Sequence, residues 1–139
     1  MALTDDEIRS ETSNIIGFGG LLLAPLLVLG LSYSAANELI ETKSVGSFLI
    51  RRSTNANHLF TIVVKTEFNG VKNLRIYQRR NAKNEMEYTV NFDTVTLPMF
   101  KHVSELIERL VDKQLTFYEG SERTACYLLT PVINPFNLM

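Results

Sequence analysis

The sequence is poor in the residues that build disulfides, zinc sites and strongly charged surfaces. It contains one cysteine, Cys126, so no internal disulfide can form and a reducing compartment is expected. Two histidines, His58 and His102, are too few with that cysteine to favour a structural zinc site, and we expect neither a metal nor a cofactor. The net charge of -1 excludes bulk attraction to nucleic acid, so any anion site must be local. The 139 residues carry no repeat or low-complexity tract, which indicates one soluble globular domain.

Charge is also missing along one long segment, because no charged residue occurs between Glu11 and Glu38. Residues 15–31 (IIGFGGLLLAPLLVLGL) are almost wholly apolar and approach the length of a membrane-spanning helix. A membrane-anchored protein with this hydrophobic span is therefore one alternative. Glycines and a proline interrupt the run, however, and the acidic N-terminus is unlike the basic start of a signal peptide. We favour a helix end, a turn and a short buried strand within residues 21–29.

Local signals predict three helices. Thr4 and Glu7 have capping-box spacing, so a helix is expected to start near Asp5. Ser32 or Ser34 can cap a second helix that continues to residue 41. A third helix is expected after Pro98, with Lys101, Glu105, Glu108 and Arg109 on its wet side. Its apolar face is predicted to hold Met99, Val103, Leu106, Ile107 and Leu110.

The centre of the chain is rich in β-branched and aromatic residues. Strands are predicted at residues 47–53, 59–66 and 72–78, with a short fourth strand at 87–92. Residues 113–123 are expected to form a loop and residues 125–132 an extended tail. The order of elements predicts an α+β fold in which two helices flank a central antiparallel sheet, with an extra N-terminal helix. We assign residues 1–20 to a helical extension and residues 21–139 to the main domain.

Arg51 is the position with the most notable chemistry. It follows the apolar residues 48–50 in a strand that is expected to be buried on both faces. A guanidinium in such a place is costly to desolvate unless an anion pairs with it. Arg52, Ser53 and Thr54 bring further donors to the same strand end, a combination that suits a phosphate. The alternative is that Arg51 leaves the sheet into water.

Residues 46–53 (GSFLIRRS) closely resemble the signature strand of SH2 (Src-homology 2) domains, Gly-Ser/Thr-Phe-Leu-Val/Ile-Arg-x-Ser. Residues 36–40 (ANELI) are similar to the first helix of that family, and Phe100 with residues 103–107 (VSELI) resembles its second helix. The resemblance implies the SH2 fold and a non-enzymatic module that binds phosphotyrosine. Nothing in the sequence has the pattern of a catalytic nucleophile or of a Gly-rich phosphate loop that opens a helix.

A narrower resemblance is to the SH2 domains of the suppressor of cytokine signalling family. It rests on residues 47–51 (SFLIR), 58–66 (HLFTIVVKT), 72–76 (KNLRI) and 127–132 (YLLTPV). That family carries an extra helix before its SH2 domain, for which residues 5–16 are a counterpart. Its C-terminal box, which recruits ubiquitin ligase, is expected after this tail, where the sequence ends at Met139. The resemblance is therefore to the SH2 domain without the box.

The resemblance also implies site residues. Arg51 is expected to grip the phosphate, Ser53 and Thr54 to close over it, and Thr61 to meet the pocket from the next strand. Arg75 stands where the family has a basic residue beside the phosphotyrosine ring, in a cation–π role. Two neighbouring strand residues, Asn73 and Leu74, together with loops at residues 93–97 and 114–123, are expected to line the groove for the rest of the peptide.

Two residues depart from the family pattern around the expected pocket. Tyr33 stands where an arginine is common, which removes one expected phosphate ligand. Arg52 stands where an acidic residue is common, which makes the pocket more basic. Either residue could take the place of the missing helix arginine. We therefore include Arg52 in the predicted phosphotyrosine site.

The resemblance implies tyrosine-phosphorylated proteins or peptides as partners, with no nucleic acid, no expected membrane contact and a cytoplasmic location. The domain is expected to act as a signalling adaptor. A stand-alone SH2 protein that a microbe uses to intercept signalling in the host cytosol is a further hypothesis. It is based on the missing box and on the absence of the tryptophan common at the start of the domain.

Overall fold

The computed structural model describes residues 3–16, 27–28, 32–52, 60–67, 70–90, 99–112, 115–119, 122–126 and 130–132. The helices are α1 (Asp5–Ile16), α2 (Tyr33–Glu41) and α3 (Val103–Asp112). The strands are β1 (Leu27–Val28), β2 (Ser47–Arg52), β3 (Phe60–Lys65), β4 (Val71–Arg80), β5 (Met86–Val90), β6 (Leu115–Glu119), β7 (Glu122–Cys126) and β8 (Thr130–Pro131). The predicted α+β class and the four central strands are confirmed.

The main sheet is built around an antiparallel meander of β2, β3, β4 and β5, in that order. The outer edge of β2 receives β1 beside its second half and β8 beside its first half, and both pair in parallel. As a result β2 is an interior strand along its length. Its continuous apolar sequence fits this position, because residues 47–50 are buried.

One face of the sheet carries the larger apolar cluster. Its β-strand members are Phe48, Ile50, Phe60, Ile62, Val64, Leu74, Ile76, Met86, Tyr88 and Val90. The third helix covers this face with Val103, Leu106, Ile107 and Leu110, all buried as the helical spacing predicts. Leu3 and Ile8, from the N-terminal segment and α1, pack against the same cluster. We call this side of the sheet the α3 face.

The opposite side, which we call the α2 face, has a smaller apolar cluster. It consists of Ala36 and Ile40 from α2 with Leu49 and Val63 from the sheet. The helix begins after the N-cap Ser32, whose Oγ accepts the backbone N–H of Ala35 at 3.2 Å. This confirms Ser32, one of the two serines predicted as a possible N-cap of this helix. The prediction of one helix on each side of the sheet is also confirmed.

Two acidic side chains of α1, Glu7 and Glu11, fix this helix to the rest of the domain. The predicted capping box is present, since Thr4 and Glu7 exchange backbone-to-side-chain bonds of 2.9 and 3.1 Å. The same Glu7 carboxylate accepts two bonds from Arg80, at 2.6 and 2.8 Å, and this lowers the pKa of Glu7 to about 2. One turn later, the buried Glu11 accepts the backbone N–H of Val103 at 3.0 Å and contacts His102 Nδ1 at 2.9 Å.

Some expectations are wrong. Residues 113–123 were expected to form a loop, but β6 and β7 pair as an antiparallel hairpin with Glu119 opposite Glu122. The sequence LTFYE before Gly-Ser is a β-prone run followed by hairpin-type residues, so the signal was present. Met99 and Lys101 lie before α3 rather than within it, because the helix begins at Val103. The Glu11 side chain accepts the backbone N–H of Val103, which is the first N–H of the helix.

The apolar segment at residues 15–31 lies largely outside the described residues. Its two members Leu27–Val28 form β1, in register with Ile50 and Arg51. They therefore belong to the sheet, in agreement with the predicted short strand. Among the residues that the structure describes, no helix combines the length and the hydropathy that crossing a membrane requires.

Candidate functional site

Arg51 lies near the end of β2, between Val28 on one neighbouring strand and Thr61 on the other. The strand alternation puts it on the α2 face, two residues after the buried Leu49. The residue is half-buried, and its Nε atom is buried without a hydrogen-bond partner in the described part of the chain. A buried guanidinium N–H is a strong donor, and burying it without a hydrogen-bond acceptor is energetically unfavourable. Arg51 therefore presents an unused donor at the surface of the sheet.

The register places two further predicted residues in line with Arg51. Thr61 on β3 is the cross-strand partner of Arg51, and Arg75 on β4 is the cross-strand partner of Thr61. Directly opposed residues of antiparallel strands point to the same face. Arg51, Thr61 and Arg75 thus form one row across three strands on the α2 face. Thr61 is buried and Arg75 is exposed, so the row runs from a half-buried cation to an exposed one.

Tyr33, the first residue of α2, contributes an aromatic wall to this row. The Cζ atom of Arg51 lies 5.8 Å from the centroid of the Tyr33 ring, within the range of a cation–π contact. The Tyr33 side chain is 57% exposed, so the ring borders solvent as well as the arginine. From the sequence, Tyr33 is one of two candidates, with Arg52, to take the place of the missing helix arginine. Its position beside Arg51 depends on how α2 packs on the sheet, which no local pattern encodes.

Asn73 connects α2 to the same face of the sheet. Its Nδ2 donates to Oδ1 of Asn37, a helix residue, at 2.9 Å. Its Oδ1 is buried and has no partner among the described residues. The sequence predicted Asn73 as part of a peptide groove, and that role stays a prediction. The structural contribution of the Asn37–Asn73 bond, which holds α2 against β4 beside the arginine row, was not anticipated.

Two predicted site residues point away from this row. Arg52 follows Arg51 directly, so alternation along β2 puts it on the α3 face, where it is exposed. The structure therefore does not bring Arg52 to Arg51, and of the two candidates to replace the helix arginine, Tyr33 is the one that contacts Arg51. Leu74 also lies on the α3 face and is 2% exposed within the apolar core. Its proposed groove role is not tested by this position.

The predicted phosphate ligands Ser53 and Thr54 lie outside the described residues, as do residues 93–97 of the first predicted groove loop. The described part of the second predicted loop, at residues 114–123, belongs to the β6–β7 hairpin. The assembled part of the site is therefore Arg51, Thr61 and Arg75, with Tyr33 beside them. Two arginines on one face of the sheet, with an aromatic ring beside Arg51, suit an anionic group attached to a planar ring.

A cavity of about 310 Å³ lies elsewhere, between α1, the β4–β5 turn and the start of α3. Its lining includes four carboxylates, those of Glu7, Glu11, Glu85 and Glu87. These carboxylates outnumber the basic Lys101 and His102 of the same lining, so we do not regard this cavity as a phosphate site. Burial, with the nearby carboxylates of Glu11 and Glu7, raises the pKa of the Tyr88 hydroxyl that borders it, and this tyrosine stays neutral.

The fold is that of an α+β sheet domain with Arg51 and Arg75 in one row on a single face. The family model of the SH2 domain matches residues 30–109, more than half of the chain, and the chain belongs to the SH2 domain family. SH2 domains are phosphotyrosine-peptide-binding modules of signalling proteins and are generally non-catalytic. No enzymatic family is indicated by the match.

Curated relatives share a shorter segment. The chain is 54% identical over 41 residues to suppressor of cytokine signaling 3 from Gallus gallus, a stretch that covers 30% of this chain and 19% of that protein. It is 51% identical over 41 residues to the Homo sapiens protein of the same name, with 30% and 18% covered. Among solved structures, CED-2 matches with a TM-score of 0.56 and 19% identity, over 76% of this chain and 58% of that chain. This last likeness shows the fold.

Proposed function

We propose that the domain binds tyrosine-phosphorylated peptides by gripping the phosphate through Arg51 on the α2 face. In this proposal the phosphotyrosine enters beside Tyr33, with its phosphate at the Arg51 guanidinium. Thr61 borders the pocket from β3, and Arg75 packs against the phosphotyrosine ring from β4. Ser53 and Thr54 close over the phosphate from the segment that follows β2.

The observation that carries the proposal is that the Arg51 Nε has no hydrogen-bond partner among the described residues. A phosphate oxygen supplies the acceptor that this donor lacks, and the planar guanidinium can bind two oxygens at once. Arg80 provides the contrast, because its guanidinium already donates two bonds to the Glu7 carboxylate. Of these two strand arginines, Arg51 is the one with a donor to offer to an external anion.

The setting of Arg51 also supports the choice of a phosphate over a weaker anion. The preceding β2 residues 47–50 are buried, and the β1 and β3 strands flank Arg51 on both sides. Charge-assisted bonds are stronger where water is partly excluded. A phosphotyrosine carries a charge of about -1.5 to -2 near neutral pH, more than a carboxylate does. The row of Arg51 and Arg75 therefore favours the dianion.

A titration by fluorescence polarisation tests the proposal. One tyrosine peptide is used in its phosphorylated and unphosphorylated forms, and each is titrated with the wild-type domain, Arg51→Ala and Arg52→Ala. Two charge-assisted bonds of roughly 1.5–3 kcal/mol each predict that Arg51→Ala weakens phosphopeptide binding by about 100-fold or more. Arg52→Ala is a matched control, because it removes the same charge from the next residue on the opposite face.

Equal affinity of the wild-type domain for both peptide forms would overturn the proposed function. A loss with Arg52→Ala as large as that with Arg51→Ala would leave phosphotyrosine binding in place. It would however contradict the grip through Arg51, since general charge rather than position would then explain binding. The peptide is labelled at the end distant from the tyrosine, so that the dye does not contact the arginine row.

The biological setting extends this proposal. We propose that the domain acts in the cytoplasm as an adaptor, or as an interceptor of signalling, with tyrosine-phosphorylated proteins as partners. The shared segment with suppressor of cytokine signaling 3 supports a signalling context. Affinity capture with wild-type and Arg51→Ala domains from cells treated with a tyrosine-phosphatase inhibitor would test it. Partners that bind both domains equally would contradict a phosphotyrosine-dependent role.

A further inference from the structure

Tyr33 is the most exposed of the three tyrosines whose side chains the structure describes. Its side chain is 57% exposed, whereas Tyr77 is 36% exposed and Tyr88 is 1% exposed. It is the first residue of α2, directly after the N-cap Ser32. A kinase can reach a hydroxyl only where the side chain leaves the protein surface. Tyr33 meets this condition at the border of the proposed phosphotyrosine pocket.

The surroundings of Tyr33 favour an added negative charge. The Arg51 guanidinium carbon is 5.8 Å from the ring centroid, and its Nε lacks a partner among the described residues. The first turn of α2 contains no acidic residue, so the positive end of the helix dipole is not already compensated there. A phosphate near a helix N-terminus and an arginine is stabilised by both.

A phosphate on Tyr33 would therefore stand where an incoming peptide phosphate has to bind. Its charge of about -1.5 to -2 would pair with the Arg51 side chain in the same molecule. It would also repel the dianion of a peptide phosphotyrosine at short range, where screening by salt is incomplete. Both effects lower the affinity for a phosphopeptide, whether or not the Tyr33 phosphate enters the pocket fully.

We infer that Tyr33 is a phosphorylation site whose modification closes the Arg51 pocket to phosphotyrosine peptides. A tyrosine kinase transfers the γ-phosphoryl group of ATP to the Tyr33 hydroxyl oxygen. The bond between the γ-phosphorus and the bridging oxygen of ADP breaks, the bond between phosphorus and the tyrosine oxygen forms, and the phenolic proton passes to the kinase base. This inference rests on the proposed function, because it regulates the same pocket.

The first experiment measures binding with a defined modification. The full chain is prepared with phosphotyrosine at position 33 by genetic-code expansion and titrated with the phosphorylated peptide. We expect its affinity to fall by about tenfold or more relative to the unmodified chain. Treatment with a tyrosine phosphatase is expected to restore the affinity. Tyr33→Phe is the non-phosphorylatable control, since it keeps the ring beside Arg51, and its affinity before kinase treatment is the reference for its affinity after treatment.

The second experiment asks whether the site is accessible. Wild-type chain and Tyr33→Phe are incubated with a soluble tyrosine kinase and ATP, and phosphate is located by mass spectrometry. We expect phosphate on residue 33 and a loss of peptide binding for wild type but not for Tyr33→Phe. Failure to label residue 33, under conditions that label a free peptide of residues 28–41, would overturn the inference.

The outcomes separate this inference from the proposed function. If unmodified and phosphorylated chains bind the phosphopeptide equally, the inference is overturned and the proposed function stands. If the unmodified chain does not discriminate between peptide forms, both fail. A lower affinity that phosphatase does not restore, together with a lowered unfolding temperature, would indicate that the phosphate damages the fold. That result would also overturn the inference.

Discussion

The two faces of the central sheet differ in whether the protein itself provides partners for their arginines, although the same strands form both faces. The α3 face holds the larger apolar cluster and is covered by α3 and α1. Arg80, in the strand that also carries Arg75, is bound by the Glu7 carboxylate. The α2 face has a smaller apolar cluster and carries Arg51, whose Nε has no partner in the part of the chain that the structure describes. In one region the protein supplies the anion, and in the other we propose that a ligand supplies it.

This difference separates stability from binding. The hydrogen bonds of Glu7 and Glu11 hold α1 to the rest of the domain, so these residues contribute to the free energy of unfolding. Arg51 makes no comparable contribution, because a half-buried guanidinium without an anion is unfavourable in the free protein. Substitutions on the α3 face should therefore change stability, and substitutions in the arginine row should change affinity.

Phe48→Ala should have the largest effect on stability. The side chain is fully buried in the larger cluster, three residues before Arg51 on the same strand. Truncation of a buried phenylalanine costs about 3–5 kcal/mol, and we expect that loss in the free energy of unfolding by urea denaturation. At a temperature where the variant is folded, its phosphopeptide affinity should stay within about threefold of wild type.

Arg51→Ala is the reciprocal variant, with the free energy of unfolding expected to change by less than about 0.5 kcal/mol. Two results would break the comparison between the faces. One is a folded Phe48→Ala domain that binds phosphopeptide as poorly as Arg51→Ala. The other is an Arg51→Ala domain destabilised by several kcal/mol, which would mean that Arg51 is a structural residue.

Glu11→Ala should have the next largest effect. Glu11 is 5% exposed, accepts the first backbone N–H of α3 and contacts His102. Removing the carboxylate leaves the Val103 N–H without its acceptor, at a cost of about 2–3 kcal/mol in the free energy of unfolding. Glu105→Ala is the control, because Glu105 is an exposed carboxylate in the first turn of the same helix and should cost less than about 1 kcal/mol. Equal losses would show that helix charge, rather than the Glu11 bonds, explains the effect.

Local sequence signals accounted for much of the fold. The Thr4 and Glu7 capping box, the Ser32 cap and the apolar spacing of α3 each act within a few residues, and each was confirmed. The β6–β7 hairpin was missed although its β-prone run and Gly-Ser pair were readable. The opposite placement of Arg51 and Arg52 was also readable, since side chains alternate along a strand.

Long-range contacts were not predictable in the same way. Glu7 and Arg80 are 73 residues apart, and Glu11 and Val103 are 92 residues apart. Such pairs depend on how helices pack on the sheet, and one sequence does not encode that in a local pattern. The contact of Tyr33 with Arg51 has the same origin. The Arg51 site was therefore predictable as a strand arginine, but its aromatic neighbour was not.

Glu7→Gln should have a smaller effect on stability than Phe48→Ala or Glu11→Ala, and it sharpens the comparison through pH. The bonds from Arg80 lower the folded-state pKa of Glu7 from 4.5 to about 2. A lowered carboxyl pKa stabilises the folded state above the unfolded pKa, and this stabilisation is lost as pH falls from about 5 toward 2. The stabilisation should be about 1 kcal/mol, because the pair is partly exposed to water. Glutamine can still complete the capping box, so the variant removes mainly the charge opposite Arg80.

Urea denaturation at a series of pH values should give a shallower acid dependence for Glu7→Gln than for wild type. The control Glu38→Gln, at an exposed carboxylate, should keep the wild-type slope of unfolding free energy against pH. Equal slopes for wild type and Glu7→Gln would contradict an ion pair between Glu7 and Arg80 in the folded state.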